Sequence, residues 1–139
     1  MSTFKRFEDI EVWKKSRELT SKIYIITQEG KFYKDFNLRD QIRRACISVM
    51  SNIAEGFNRQ TKKEFIQFLS IAKGSIAEIQ SQLYIALDLD YITKDQFDNM
   101  YVLCDQIASM LHGLMIYLSR SPLQGKKYRN NSQHSNTKL

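Results

Sequence analysis

Leu38 to Arg59, LRDQIRRACISVMSNIAEGFNR, constrains this chain more than any other stretch. Placed on a helix, Leu38, Ile42, Ala45, Cys46, Val49 and Ile53 form one apolar stripe, and Ile47, Met50, Ala54 and Phe57 widen it. The combined arc spans about 200°, roughly twice what a single core-facing stripe needs. Gln41, Arg44, Ser48, Ser51, Asn52 and Glu55, with Arg59 beyond, form the narrow polar line that remains. A helix this apolar is either central in its own domain or packed on its second side against another subunit. A small bundle has no central helix, so Ile47, Met50, Ala54 and Phe57 are expected to form an oligomer interface.

Three other segments carry a helical period. From about Asp9 to Gln28, Val12, Ser16, Leu19, Ile23 and Ile26 alternate four and three apart, the spacing of a packed seam, with Asp9 as the expected N-cap. Phe4 and Phe7 before it are placed to cover the end of a bundle. Gly30 punctuates the end of this helix, Lys31 to Asn37 reads as a loop, and Asn37 is the expected cap of the next helix. Thr61-Lys62-Lys63-Glu64 is a capping box opening the third segment, in which Phe65, Leu69, Ala72, Ile76, Ile79, Leu83 and Ala86 keep the period. Gly74, Ser75 and Ala77 are small enough to let a neighbouring helix approach, with Glu78 facing a polar partner. A second capping box, Thr93 to Gln96, opens the fourth segment, marked by Phe97, Met100, Cys104, Ile107, Leu111, Leu114 and Leu118.

Four amphipathic helices on short connectors run antiparallel to their chain neighbours. The expected fold is therefore all-α, an antiparallel up-down-up-down four-helix bundle over residues 1–120. Pro122 stops the last helix, and the Gly-, Asn-, Ser- and Gln-rich residues 121–139 are expected to be a disordered basic tail dispensable for folding.

The formal charge is +6 over 139 residues. Residues 120–139 carry five basic side chains and no acid, so the body is close to neutral. Within the body, residues 39–73 hold seven basic and three acidic groups, and residues 74–119 hold one and six. A basic and an acidic region of one bundle follow, or simply solvated helix faces. Cys46 and Cys104, at apolar positions with no CxxC, read as buried small hydrophobes in a reducing compartment. Without an apolar leader or 18 uninterrupted apolar residues, a cytoplasmic protein with no membrane contact is expected.

No reaction announces itself. The two histidines, His112 and His134, lie outside any Glu-x-x-His pair, which argues against a ferritin-like metal centre; there is no phosphate loop and no zinc spacing. No cofactor is expected. Arg129-Asn130-x-x-x-His134 matches the Arg-polar-x-x-x-His motif of HEPN-type ribonucleases, but it sits where no apolar period would hold a general acid or base in place. It is read as compositional coincidence. Phe32, Tyr33 and Phe36 beside Lys31 and Lys34 have two readings, a base-stacking platform or, preferred here, a plug for the end of the bundle. On the polar line, Asn52 and Glu55 read as structural, with Glu55 and Arg59 spaced as an ion pair, and the arginines stay open.

The run from Ser48 to Gly56, S-V-M-S-N-I-A-E-G, with Gln41-Ile42-Arg43-Arg44 before it and Arg59 after, resembles the S23-type proteins encoded in intervening sequences of 23S rRNA genes. Those are similar to the accessory protein of diversity-generating retroelements. Val12-Trp13, Lys63-Glu64-Phe65, Phe68-Leu69, Ala72-x-Gly74-Ser75 and Glu78 extend the resemblance from about Phe7 to Leu118. Met50 stands where the family usually has proline, so a weaker kink is expected there. The resemblance implies the same bundle, assembled as a homopentamer, without enzymatic activity. It favours RNA, DNA or a nucleic-acid enzyme as partner, which directs attention to Arg39, Arg43, Arg44, Arg59, Lys62 and Lys63 as nucleic-acid-binding residues. A purely structural protein-protein scaffold is the alternative.

Overall fold

The computed structural model describes residues 4–120; the tail and its Arg129–His134 motif lie outside the described residues. A single 3₁₀ turn, Phe7–Asp9, leads into α1 (Glu11–Ile26), a short α2 (Gly30–Lys34), α3 (Phe36–Phe57), α4 (Lys62–Asp88) and α5 (Lys94–Arg120). Helix α1 packs on α3 and α5, and α4 packs on the same two, so the four long helices close a ring around one core. That is the antiparallel four-helix bundle expected from the periods. No strand occurs among the described residues.

The seams are those the spacing marks. Val12, Ser16, Leu19 and Ile23 of α1 are buried, as are all seven periodic positions of α4. On α5 every marked position is buried except Leu114, which is half-covered. Each fully buried Leu, Ile or Phe contributes about 1.5–3 kcal/mol of transfer free energy, which makes these seams the main source of stability. Helix α3 runs unbroken through Met50, in keeping with the missing proline. Helix α5 is long and apolar enough to cross a membrane by length and composition alone. Its buried side faces the bundle, however, while Asp95, Asp98 and Asp105 are exposed on it.

Both Thr caps form, and the Thr93 box closes in both directions. Thr61 Oγ1 accepts from the Glu64 N–H at 3.1 Å; Thr93 Oγ1 accepts from the Gln96 N–H, and the Thr93 N–H donates to Gln96 Oε1 at 2.8 Å. Between α4 and α5 the chain turns without glycine. Asp90 takes the left-handed conformation (φ 59°), with its N–H on the Leu87 carbonyl and the Tyr91 N–H on the Ala86 carbonyl, a Schellman ending.

Three expectations about the first 37 residues are corrected. Lys31–Asn37 is not a loop: α2 occupies most of it, because Phe32 is buried against Tyr91 at 5.4 Å between ring centres and pins the turn to the bundle. Asn37 lies inside α3, and the cap is Asp35, whose Oδ1 accepts from the Leu38 N–H while Oδ2 accepts from the Tyr91 hydroxyl. Asp9 belongs to the 3₁₀ turn, so Ile10, not Asp9, precedes α1. Gly30, with φ +73°, starts α2 after the last turn of α1 has closed at Thr27.

Candidate interaction surface

The outer surface of α3 and α4 holds most of the residues the sequence singles out. These two helices approach closely at two points. Ser48 and Ser75 share a hydrogen bond of 2.9 Å across the seam, and the α-carbon of Gly56 lies against Phe65 and Phe68. Asn52 completes the first point by donating to the Ser48 carbonyl (2.8 Å) and hydroxyl (3.0 Å), a structural role. Of the three small residues on α4, only Ser75 mediates this approach. Gly74 has nothing within 4 Å of where a Cβ would sit, and Ala77 is exposed, so both look outward instead.

The six basic residues do not form one patch. Arg43 ties α3 to α1: its Nε donates to Thr27 Oγ1 at 2.8 Å, its Nη2 donates to the Thr27 carbonyl, and the guanidinium lies 4.4 Å from the Tyr24 ring. Arg39 pairs with Asp40 at 2.8 Å and donates to the Tyr33 carbonyl. Arg59 pairs with Glu55 at 2.7 Å, as the four-residue spacing suggests, and stacks 4.8 Å from the Phe68 ring. Arg44 and Lys63 are exposed and form no ion pair among the described residues; Lys62 is half-buried. At 1.5 Å per residue, Arg44 lies about 20 Å along α3 from Phe57, the last helical residue before Arg59. The cluster is thus two groups, one near the start of α3 and one at the α3–α4 turn. Arg44 borders a pocket of about 190 Å³ with Gln41, Ala45, Ser48 and Glu78, bringing Glu78 to the same groove without an ion pair between them.

Of the expected interface residues, Ile47 is 48 % exposed and Met50 and Ala54 are half-buried on the same side. Phe57 is a correction. It is only 3 % exposed, with Phe4 and Phe65 ring centres 6.4 and 6.2 Å away. The N-terminal lead-in covers it, something a helical wheel of α3 cannot show. The sequence reading also missed Ile71 and Ile85 of α4, 53 % and 45 % exposed and fourteen residues apart, on one side of the helix. Their seven-plus-seven spacing was the available signal, masked by the stronger core period beside it.

Among the described residues, no three His, Cys, Asp or Glu side chains converge as for a metal ion. Cys46 and Cys104 are buried and free. Burial pushes both thiols up, Cys104 to about 12, with the nearby Asp105 charge adding to the shift. At pH 8 the thiolate fraction of Cys104 is then on the order of 10⁻⁴. A disulfide reagent at that pH should leave the native protein unlabelled for hours and label two thiols per chain in denaturant. Rapid labelling of the native protein would contradict the burial.

The fold defines an all-α, antiparallel four-helix bundle protein. Residues 8–113 match the 23S rRNA-intervening sequence protein family, and the chain belongs to that family. Its structure is similar to the crystal structure of a protein with unknown function from the S23 ribosomal protein family of Bacteroides thetaiotaomicron. The TM-score is 0.70 at 26 % identity, over 76 % of this chain and 95 % of that one. No curated protein matches the chain.

Proposed function

We propose that this chain is a non-catalytic, cytoplasmic homo-oligomer, assembled as a pentamer, that serves as an interaction module for RNA or DNA or for a nucleic-acid enzyme. The observation that carries the reading is the set of exposed apolar side chains on these two helices, Ile47 on α3 and Ile71 and Ile85 on α4, with the small outward-facing Gly74 and Ala77 between the latter two in sequence. Small residues let a second helix come close, and three exposed isoleucines reward it. The number five rests on the family resemblance. Assembly would repeat the unpaired Arg44 and Lys63 around the ring, so that weak phosphate contacts sum. Light scattering tests the assembly: a 16.4 kDa particle at micromolar concentration would overturn it.

Nucleic-acid contact has two separable sources. The basic tail needs no geometry and attracts any polyanion, whereas the body presents fixed charges. A chain ending at residue 120 is expected to bind RNA or DNA at low salt more weakly than the full chain, with affinity falling steeply as salt rises. Replacing Arg44, Arg59, Lys62 and Lys63 with glutamine should remove most of that remainder and leave the bundle folded. Arg39 and Arg43 are kept because they hold α3 to its neighbours. If the shortened chain shows no binding at about 50 mM salt, the protein-only scaffold becomes the better account.

A further inference from the structure

The structure separates the three aromatics around α2. Phe32 turns inward as the plug, whereas its neighbour Tyr33 is 44 % exposed and Phe36 is 61 % exposed. A large apolar ring left in water forgoes burial energy, so two of them side by side call for a reason. They are also held in place. The Arg39 guanidinium lies 4.7 Å from the Tyr33 ring centre and 4.8 Å from that of Phe36. The Arg39–Asp40 ion pair and the bond to the Tyr33 carbonyl fix the guanidinium in turn. The two rings meet at 88° with centres 6.5 Å apart, forming a corner instead of a collapsed stack. Below them, Phe32 on Tyr91 and Asp35 on the Tyr91 hydroxyl anchor α2 to the connector between α4 and α5. The platform therefore stands on a rigid base.

We infer that Tyr33, Phe36 and Arg39 form a stacking corner for the unpaired bases of a single-stranded nucleic acid, with Lys31 and Lys34 meeting the phosphates. The inference rests on the nucleic-acid reading above and names a site and ligand class for it. Arg39 covers one face of each ring, and a base stacks on a face that the rings leave open to solvent. Base–aromatic stacking tolerates any sequence, because every base has a π face, and positive charge beside it tracks the backbone. Lys31 and Lys34 are exposed on the same short helix and form no ion pair among the described residues. An apolar face of a second copy suits this corner poorly, since covering Phe36 would also strip water from Asp40 and the lysines. Pre-set rings also lose little conformational freedom on binding.

The test compares a labelled oligouridylate of about 12 nucleotides with an abasic strand of equal length, both titrated with the full chain. The tail contributes alike to the two strands, so their difference reads the bases alone. The wild-type chain should prefer the strand that carries bases. Tyr33→Ala/Phe36→Ala should weaken binding of that strand about tenfold or more and leave the abasic strand unchanged. Phe36→Trp should retain the preference and Phe36→Leu should lose part of it, and because both residues are exposed the folded bundle should persist in circular dichroism. Equal affinity of the wild-type chain for the two strands would overturn the stacking corner, as would an undiminished preference in the double variant. An undiminished preference together with a smaller particle mass would assign the rings to a subunit contact. A wild-type chain that binds neither strand would remove the nucleic-acid reading itself. Loss of binding only on Arg44→Gln/Lys63→Gln would remove the corner and leave that reading intact.

Discussion

Gly56→Ala is expected to destabilise the bundle by about 2 kcal/mol, even though alanine favours a helix by about 1 kcal/mol over glycine. Gly56 is buried in the last turn of α3, where a new Cβ would sit 2.7 Å from the Phe68 Cβ and 2.9 Å from Phe65 Cδ1. The first of these atoms is fixed to the α4 backbone and cannot rotate away. One helix must move outward, which loosens the contacts of Phe57 and Phe65 beside it. Gly56→Val adds two more carbons to the same gap and should cost more. Gly113→Ala is the control of opposite sign, because nothing lies within 4 Å of the new methyl. It should raise stability by up to about 1 kcal/mol through helix propensity. Urea melts at one fixed protein concentration make the comparison, since assembly would otherwise shift the midpoints. A Gly56→Ala chain as stable as the parent would show that α3 and α4 are not in contact there.

Ile47→Glu combined with Ile71→Glu should convert the assembled protein into a 16.4 kDa monomer that keeps its helix content. Both side chains are about half exposed, so the isolated subunit should change by no more than about 0.5 kcal/mol. In an oligomer each carboxylate would lose its water on entering the contact. That costs several kcal/mol per ion and repeats at every interface of a ring. Ile25→Glu serves as the control. Ile25 is the most exposed large apolar residue described, but it lies in the α1–α5 groove with Lys22, Ile26 and Met100, on the other side of the bundle. Light scattering should show no change of mass for it. A double variant that stays assembled, or an Ile25→Glu chain that falls apart, would move the interface elsewhere.

What was legible in the sequence follows from how local each cause is. The seam of α4 from Phe65 to Ala86 could be read directly, because the 3.6-residue turn places those positions on one line whatever surrounds them. The two Thr boxes could be read for the same reason: Thr61 with Glu64 and Thr93 with Gln96 are three residues apart and need no distant partner. The Glu55–Arg59 pair is equally local. The resemblance carried by Ser48 to Gly56 identified the family. The stacking corner was half legible: its aromatics were noticed together, but not which of them points outward.

The sequence by itself determined the four helical periods, the caps at Thr61 and Thr93 and hence the antiparallel bundle, since each depends on residues within about one or two turns of one another. Only the tertiary structure decided which apolar residues remain outside. Phe57 was drawn into the core by Phe4, more than fifty positions earlier, and Phe32 by Tyr91, almost sixty positions later. Gly74, placed by its size at a close approach, faces away, while Gly56 holds the close approach instead. Arg43, basic and seemingly free on a wheel, is consumed by the carbonyl and hydroxyl of Thr27. A helical wheel assigns every residue an angle but no neighbour, and burial and pairing are properties of neighbours.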